Sequence, residues 1–142
     1  MKLVKFASTF LVATLFTVAG VAAADLTLKI EHVRSDNGVI SVALYNAKDR
    51  FLADGAAVRS ADVRAMKGVT PVVFKDLPPG EYAAAVFHDE NASGEFDTNF
   101  IGLPEEGYGF SNGARAGFGP PSFDEAAVVV SSESSTEVDL VY

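Results

Sequence analysis

Residues 77–99 read LPPGEYAAAVFHDENASGEFDTN: a proline-glycine turn, then an apolar run, then an acidic segment that contains a glycine. The apolar run at residues 82–88 has the length and composition of a buried β-strand. Successive side chains of a strand point to opposite faces, so His88 lies on one face, and Phe87 and Asp89 lie on the other. Because functional groups concentrate on loops that a rigid sheet holds in place, we expect a site in the segment that follows this strand.

The turn before this strand has the form of a tyrosine corner. Leu77 precedes two prolines and Gly80, and Tyr82 follows two residues later. In Greek-key sandwiches, the phenol of such a tyrosine hydrogen-bonds to the backbone a few residues upstream. The alternative is that Tyr82 is simply an aromatic residue of the core, and the sequence leaves both interpretations open.

Further strands are predicted on either side of this one. They are expected at residues 26–31, 39–45, 58–66, 69–74, 124–131 and 136–142. Turn sequences at 36–38 and 132–135 predict a hairpin between the first two strands and a closing hairpin between the last two. Pro71 predicts that its strand lies at a sheet edge or begins there. About seven strands and no segment of helical period predict an all-β fold, an antiparallel Greek-key β-sandwich of the prealbumin or immunoglobulin type.

A long glycine-rich loop follows the acidic segment. Residues 102–119 hold six of the 12 glycines, and a loop of this length usually has a function. The aromatic residues Tyr108, Phe110, Phe118 and Phe123 either anchor this loop on the body of the domain or present a surface to an envelope protein, a peptide or a glycan. The candidate residues of such a ligand or partner surface are His88, Tyr108, Phe110 and Asn112.

The amino-terminal segment has the organisation of a secretory signal peptide. Lys2 and Lys5 precede a mostly apolar run at residues 6–21, which ends in three small alanines before Asp25. We therefore expect residues 1–24 to be a cleaved signal peptide, residues 25–142 to form a single domain, and the protein to be periplasmic or secreted. The alternative is an uncleaved membrane anchor, because the run is long enough to span a bilayer. The chain has no cysteine, so it forms no disulfides.

The composition of the expected mature domain is strongly acidic. Residues 1–24 hold two of the 11 basic side chains and none of the 19 acidic ones, which leaves a formal charge of −10. Nucleic acids and anionic membranes bind clustered Lys and Arg, so we expect neither as a partner, nor stable membrane insertion after processing. We expect a monomer. Eight acidic side chains and no basic one fall between Lys75 and Arg115, which is either a solvated acidic surface or a place for a cation.

The acidic segment has the spacing of a calcium loop. Asp89 would occupy the first position, and oxygen-bearing side chains recur at alternate positions with Gly94 at the sixth. The candidate metal ligands are Asp89, Asn91, Ser93, Glu95, Asp97 and Glu105. Phe100 stands at the twelfth position, where a bidentate glutamate belongs, and Glu105 or Glu106 is the candidate to replace it. We therefore expect at most weak Ca²⁺ binding, with Kd of about 0.1–1 mM. The alternative is a self-capped loop, in which these side chains accept hydrogen bonds from the loop's own backbone.

Catalysis is a less favoured function. His88 and Asp89 point to opposite faces of a regular strand and cannot form a hydrogen-bonded dyad with each other. The chain has two histidines and no cysteine, which also disfavours a zinc site. We therefore assign no catalytic residue, and a hydrolase is the least favoured class.

The order of motifs along the chain resembles an uncharacterised family of exported bacterial proteins, domain of unknown function 2141. The resemblance covers residues 26–142, from the turn at 77–82 through His88 and Asp89 to the run at 106–112. It implies a small periplasmic or secreted β-sandwich, similar to prealbumin-like modules, and it implies no enzyme activity. The chain departs from the family at Ala92 and Ser93, where an asparagine is more usual before the glycine. This departure weakens the argument for Ser93 as a ligand.

Overall fold

The computed structural model describes residues 20 and 22–142, so the predicted signal peptide lies almost wholly outside the described residues. This part of the chain forms eight strands and almost no helix, which confirms the all-β prediction. The strands are β1 (Ala24–Val33), β2 (Val39–Tyr45), β3 (Arg59–Arg64), β4 (Gly68–Leu77), β5 (Gly80–Asp89), β6 (Tyr108–Phe110), β7 (Val128–Val130) and β8 (Ser134–Asp139). The single α-helical turn is α1 (Phe123–Ala126), and short 3-10 turns span Lys48–Arg50 and Ser111–Gly113. Within the described ranges, no helix has the length and apolar character needed to cross a membrane.

The strands form two sheets. The three-stranded sheet has the order β4-β1-β8, and the five-stranded sheet has the order β3-β2-β5-β6, with β7 also paired to β5. All pairs are antiparallel except one, because β1 and β8 run parallel, with Leu26 opposite Ser134. The prediction of a wholly antiparallel sandwich is therefore wrong at this pair. Pro71 lies on β4, an edge strand, which is where a proline is tolerated in a sheet because it cannot donate to a ladder on both sides.

Both predicted hairpins are wrong. β1 pairs with β4 and β8, whereas β2 pairs with β3 and β5, so the turn at residues 36–38 carries the chain from one sheet to the other. Likewise, β7 joins β5 and β8 joins β1. Each of these strands has one apolar face, and that face can be buried in either sheet. The apolar pattern therefore does not select the neighbour in sequence as the pairing partner. The predicted strand at 124–131 is also shorter, because Phe123–Ala126 form a helical turn with a capping box between Ser122 and Glu125.

One face of each sheet contributes to a shared hydrophobic core. Leu28 and Ile30 from β1 are fully buried, as are Ile40 and Leu44 from β2. Their alternation with exposed or half-buried neighbours is the period-two pattern of strands that are covered on one face. Each such side chain contributes about 1.5–3 kcal/mol of burial free energy, so this sandwich-like core is the main source of stability in a chain that lacks disulfides.

The start of β5 is fixed by the tyrosine corner. The hydroxyl of Tyr82 donates to the carbonyl oxygen of Pro78 at 2.5 Å, while the ring is buried in the core. Both hypotheses for Tyr82 therefore hold, because its hydroxyl forms the corner and its ring is part of the core. As a result, β5 leaves the turn in a fixed register toward the acidic segment.

Candidate binding groove and acidic loop

The outer face of the five-stranded sheet carries a groove whose floor is made of alanines. Ala43 on β2 and Ala85 on β5 are direct cross-strand partners, and both are half-buried. A methyl group fills little of the space above a sheet, whereas Tyr45, Phe87 and Phe110 on the same face carry large rings. The pairing of two small residues therefore leaves a depression at the centre of this face.

Aromatic rings form one wall of the groove. The ring centres of Phe87 and Phe96 lie 5.6 Å apart, and those of Phe96 and Tyr108 lie 5.9 Å apart. Phe110 continues the series at 6.3 Å from Tyr108. These distances and tilted or edge-on angles are typical of favourable aromatic pairs. The wall is therefore one connected cluster of residues from β5, from β6 and from the acidic loop between them, residues 90–107.

The other side of the lining comes from Tyr45 and Leu52, which belong to a second cluster. Tyr45 contacts Phe51 at 5.4 Å between ring centres, and Phe51 contacts Phe123 at 5.9 Å, both edge-on. The groove between the two sides has a volume of about 510 Å³, within the usual range for small-molecule sites. Its lining residues are Ser41, Val42, Ala43, Tyr45, Leu52, Asp54, Ala85, Val86, Phe87, Phe96, Tyr108 and Phe110. Such a lining suits an apolar or aromatic group, with Ser41 and Asp54 as the polar contacts.

The predicted surface residues separate in the structure. Tyr108 and Phe110 line the groove, but His88 and Asn112 do not. Asn112 has φ 56°, its backbone N–H donates to Thr136 Oγ1 at 2.8 Å, and its side chain donates to Glu125 O at 3.1 Å. These contacts fix the end of β6 against its neighbours. Of the other aromatic residues of the loop, Phe123 is buried and Phe118 is fully exposed.

His88 is completely buried, on the core side of β5. Its Nε2 lies 2.7 Å from the carbonyl oxygen of Asn37 and donates to it, because a carbonyl oxygen only accepts. Its Nδ1 lies 2.7 Å from the hydroxyl of Tyr142. Both ring nitrogens are thus occupied within the protein, which leaves neither available to a substrate.

The acidic loop is organised around the side chain of Asp89, which is 1 % exposed. Its Oδ1 accepts from the N–H of Ser93 at 3.0 Å, and its Oδ2 accepts from the N–H of Gly94 at 2.8 Å. Gly94 has φ 80°, the left-handed conformation expected at a sharp turn. Asp89 therefore caps the turn, as the self-capped alternative predicts.

The other predicted ligands divide into two groups. Asn91 donates from Nδ2 to Asp97 Oδ2 at 2.7 Å, and the hydroxyl of Ser93 lies 3.4 Å from that same oxygen and 3.5 Å from Asp89 Oδ1. The structure therefore brings Asp89, Asn91, Ser93 and Asp97 together. The side chains of Glu95 and Glu105 are exposed instead, as is Phe100.

Glu106 is the acidic residue that turns inward in place of Glu105. It is 6 % exposed; its Oε2 accepts from the N–H of Asp97 at 3.1 Å, and its Oε1 is buried without a hydrogen-bond partner. Burial raises the pKa of Glu106 above its ordinary value of 4.5, and the charges of Asp97 and Asp89 raise it further, against a lowering by the Asp97 N–H. Side chains two residues apart on a strand share a face, so counting back from Phe110 and Tyr108 places Glu106 on the same face as these two aromatic residues.

A second acidic group lies on the three-stranded sheet. Among residues 20 and 22–142, it is the one group of three His or acidic side chains whose ligand atoms lie within 4.8 Å of one another: Glu31, His32 and Asp139. Asp139 is already paired with His32 Nδ1 at 3.3 Å and with Arg115 at 3.0 Å. His32 is 69 % exposed, so this group is a surface ion-pair network.

The fold defines the class of protein, and one comparison identifies its family. Eight strands in two sheets, with an acidic loop and a groove on the larger sheet, define a small all-β domain of sandwich-like form. The chain belongs to a bacterial family described as "Uncharacterized protein conserved in bacteria (DUF2141)", whose model matches residues 28–139. This match confirms the resemblance seen in the motifs and covers most of β1 and all of β2 to β8. No curated protein and no solved structure gives a significant match.

Proposed function

We propose that the protein is an exported binding module that takes an apolar or aromatic group of its ligand into the groove above Ala43 and Ala85. The observation that carries this proposal is the aromatic-walled groove of about 510 Å³ on the outer face of a sheet. Sites of this size, mostly apolar with a few polar groups, are the usual form of ligand pockets. A partly exposed aromatic wall also costs free energy in water, which a ligand would recover.

The chemistry of the groove limits the ligand. Asp54 is exposed and Ser41 is half-buried, and together with the hydroxyls of Tyr45 and Tyr108 they are the polar side-chain groups of a mostly apolar lining. The expected mature domain has a formal charge of −10, which repels anions over its surface. We therefore propose a neutral or cationic ligand with an apolar part, such as an aromatic or aliphatic side chain of an envelope protein. A glycan that stacks on the aromatic wall is the second candidate, and a hydrolase is the least favoured.

The proposal includes the compartment and the detailed fold. The signal-like segment at residues 1–24 supports a periplasmic or secreted protein in which residues 25–142 act as one monomeric domain. The hydrogen bond from Tyr82 to Pro78 supports a Greek-key sandwich of the prealbumin type, because this corner recurs in such folds. In this proposal, the two sheets serve as the scaffold and the groove is the working surface.

A fluorescent apolar probe tests the groove directly. We expect N-phenyl-1-naphthylamine to bind the purified protein saturably at one site. Ala85→Phe should weaken this binding at least tenfold, because the new ring occupies the floor of the groove. The matched control is Val73→Phe, which adds a similar ring to an exposed position on β4 and should leave binding unchanged. Non-saturable binding, or equal binding by the two variants with both folded, would overturn the proposal.

A further inference from the structure

We propose that Asp89, Asp97 and Glu106 form a site for a hard divalent cation, best suited to Ca²⁺. This inference goes beyond the proposed function, because it concerns the loop beside the groove and does not depend on a ligand in the groove. It sharpens the calcium loop predicted by spacing, in which Glu105 or Glu106 was the candidate for the missing ligand. The structure assigns that part to Glu106, which β6 and β5 hold in place.

The strand register sets two of the carboxylates opposite each other. Phe87 pairs with Tyr108, and the next backbone hydrogen bond runs from His88 N to Gly107 O at 2.8 Å. One further step along this antiparallel register places Asp89 opposite Glu106. Like charges at directly opposed positions of a strand pair are destabilising, and here both side chains are at least nine-tenths buried. A cation bound between them would remove this repulsion.

Within residues 20 and 22–142, no basic side chain forms an ion pair with Asp89, Asp97 or Glu106. Among the described residues, the acidic side chains engaged in ion pairs are those of Glu90, Asp124 and Asp139. Arg34, the basic side chain that reaches this region, is bonded to Glu90 at 2.6 Å. The sequence places no Lys or Arg between Lys75 and Arg115. A cation from solution is therefore the available partner.

Glu106 Oε1 points to a ligand independently of the acidic cluster. It is buried and has no hydrogen-bond partner, whereas Oε2 of the same carboxyl group accepts from Asp97 N at 3.1 Å. Buried polar atoms in folded proteins are almost always satisfied, and an exception calls for an ion, a water or a functional role. A cation bound by Oε1 would satisfy this atom and neutralise the pair of carboxylates together.

The surrounding donors are oxygens, which selects the class of ion. Besides the three carboxylates, Asn91 Oδ1, the hydroxyl of Ser93 and the carbonyl of Glu95 lie in the same turn, where the Ser93 hydroxyl donates to Glu95 O at 3.1 Å. Calcium takes six to eight such oxygens in flexible geometry, whereas Mg²⁺ requires a near-ideal octahedron and retains waters. We therefore expect Ca²⁺ to bind more tightly than Mg²⁺.

Binding requires a local contraction of the loop. The ligand atoms of Glu31, His32 and Asp139 all lie within 4.8 Å of one another, whereas those of Asp89, Asp97 and Glu106 do not. Asp89 and Glu106 are fixed by the sheet, but Asp97 lies on a largely exposed loop and is held by Asn91 Nδ2 at 2.7 Å. The ion would replace this hydrogen bond and draw Asp97 inward.

Calorimetric titration with CaCl₂ and thermal melting in CaCl₂, MgCl₂ or EGTA test the site on the purified protein. We expect the wild type to bind one Ca²⁺ and to melt at a higher temperature in millimolar Ca²⁺ than in EGTA, since a ligand of the native state stabilises it. Glu106→Gln should weaken Ca²⁺ binding at least tenfold. The matched control is Glu105→Gln, the same change at the adjacent exposed position, for which we expect less than a twofold effect.

The melting temperature of Glu106→Gln without metal distinguishes loss of the cation site from misfolding. In EGTA this variant should melt at a higher temperature than the wild type, because it removes one of two opposed carboxylates and adds an amide that can donate to Asp89. Loss of Ca²⁺ binding would then not reflect misfolding. The proposal is overturned if folded wild-type protein shows no Ca²⁺-dependent shift, or if Glu105→Gln weakens binding as much as Glu106→Gln. Probe binding in the groove is measured separately, so failure of either proposal can be recognised.

Discussion

The hydroxyl of Tyr142 lies 2.7 Å from Nδ1 of His88, at the end of β5 where the acidic loop begins. The same hydroxyl accepts from the N–H of Arg34 at 3.1 Å, and the Arg34 guanidinium lies 4.4 Å from the ring centre. A Cβ added to Gly107 would fall within 2.4 Å of this ring. Tyr142 therefore clamps the segment that carries Glu106 against the strand that carries Asp89.

Tyr142→Phe should lower the free energy of unfolding by about 1–3 kcal/mol, because it leaves a buried ring nitrogen of His88 without a partner. Urea denaturation at neutral pH measures this loss. The control is Tyr108→Phe, since the Tyr108 hydroxyl makes no hydrogen bond within the part of the chain that the structure describes. Equal losses in the two variants would show that the His88 contact contributes little.

Gly109→Ala should destabilise the domain by about 1–3 kcal/mol through overpacking. A Cβ at this position would lie 2.5 Å from the carbonyl oxygen of Asp139 and 2.9 Å from Val138 Cγ1. Because the first of these is a backbone atom, β6 would have to move away from β8. Gly119→Ala is the control, as a Cβ there meets nothing within 4 Å. Thermal melting of both variants decides the point, and an unchanged midpoint for Gly109→Ala would contradict the close approach.

Ser111→Ala should cost about 1–3 kcal/mol, because it leaves a buried backbone N–H without a partner. The Ser111 hydroxyl accepts from Ala84 N at 2.8 Å and donates to Ala126 O at 2.5 Å. It thus joins β5 to the helical turn behind the groove. Chemical denaturation of this variant beside Ser131→Ala, a change at an exposed position, measures the effect. A loss no larger than that of the control would mean that another group satisfies Ala84.

The capping box at α1 should respond to pH. Hydrogen bonds from the backbone N–H and hydroxyl of Ser122 lower the pKa of Glu125 below its ordinary value of 4.5. A carboxyl group with a lowered pKa in the folded state contributes stability above its unfolded pKa, and that contribution is lost as the pH falls through the folded pKa. The wild type should therefore melt above Glu125→Ala at pH 7, with a difference that shrinks below about pH 4.5. A difference that stays constant down to pH 3 would rule out an ionised cap.

The sequence predicted the individual strands better than their partners. The alternation around Tyr82 and His88 identified β5 and its two faces, and Gly94 adopts the positive φ that its turn required. Period-two alternation reports which face of a strand is buried, but it does not report which strand lies beside it. The two hairpins failed for this reason. The helical turn at Phe123–Ala126 was too short to show a helical period, but the spacing of Ser122 and Glu125 is a capping signal that could have identified it.

The two halves of the candidate site were unequally predictable. Asp89, Asn91, Ser93 and Asp97 were found by spacing, because a tight loop brings sequence neighbours together. The groove was not predicted, since Ala43 and Ala85 become neighbours only through the register between β2 and β5. The choice between Glu105 and Glu106 stayed open, because the spacing does not show which of the two adjacent carboxylates faces inward. The continuation of β6 toward Asp89 makes that choice.

The parallel pairing of β1 with β8 bears on the kinetics of folding. These strands come from the two ends of the domain, with Leu26 opposite Ser134, so the middle strand of the three-stranded sheet lacks one neighbour until the last strand arrives. Bringing these two distant strands together closes a large loop. The conformational entropy of that loop is lost before the contact can stabilise the sheet. All-β domains dominated by such non-local pairs fold in about milliseconds to seconds. During that interval β1 exposes an unpaired edge, which leaves it open to pairing with a chaperone or with another unfolded chain.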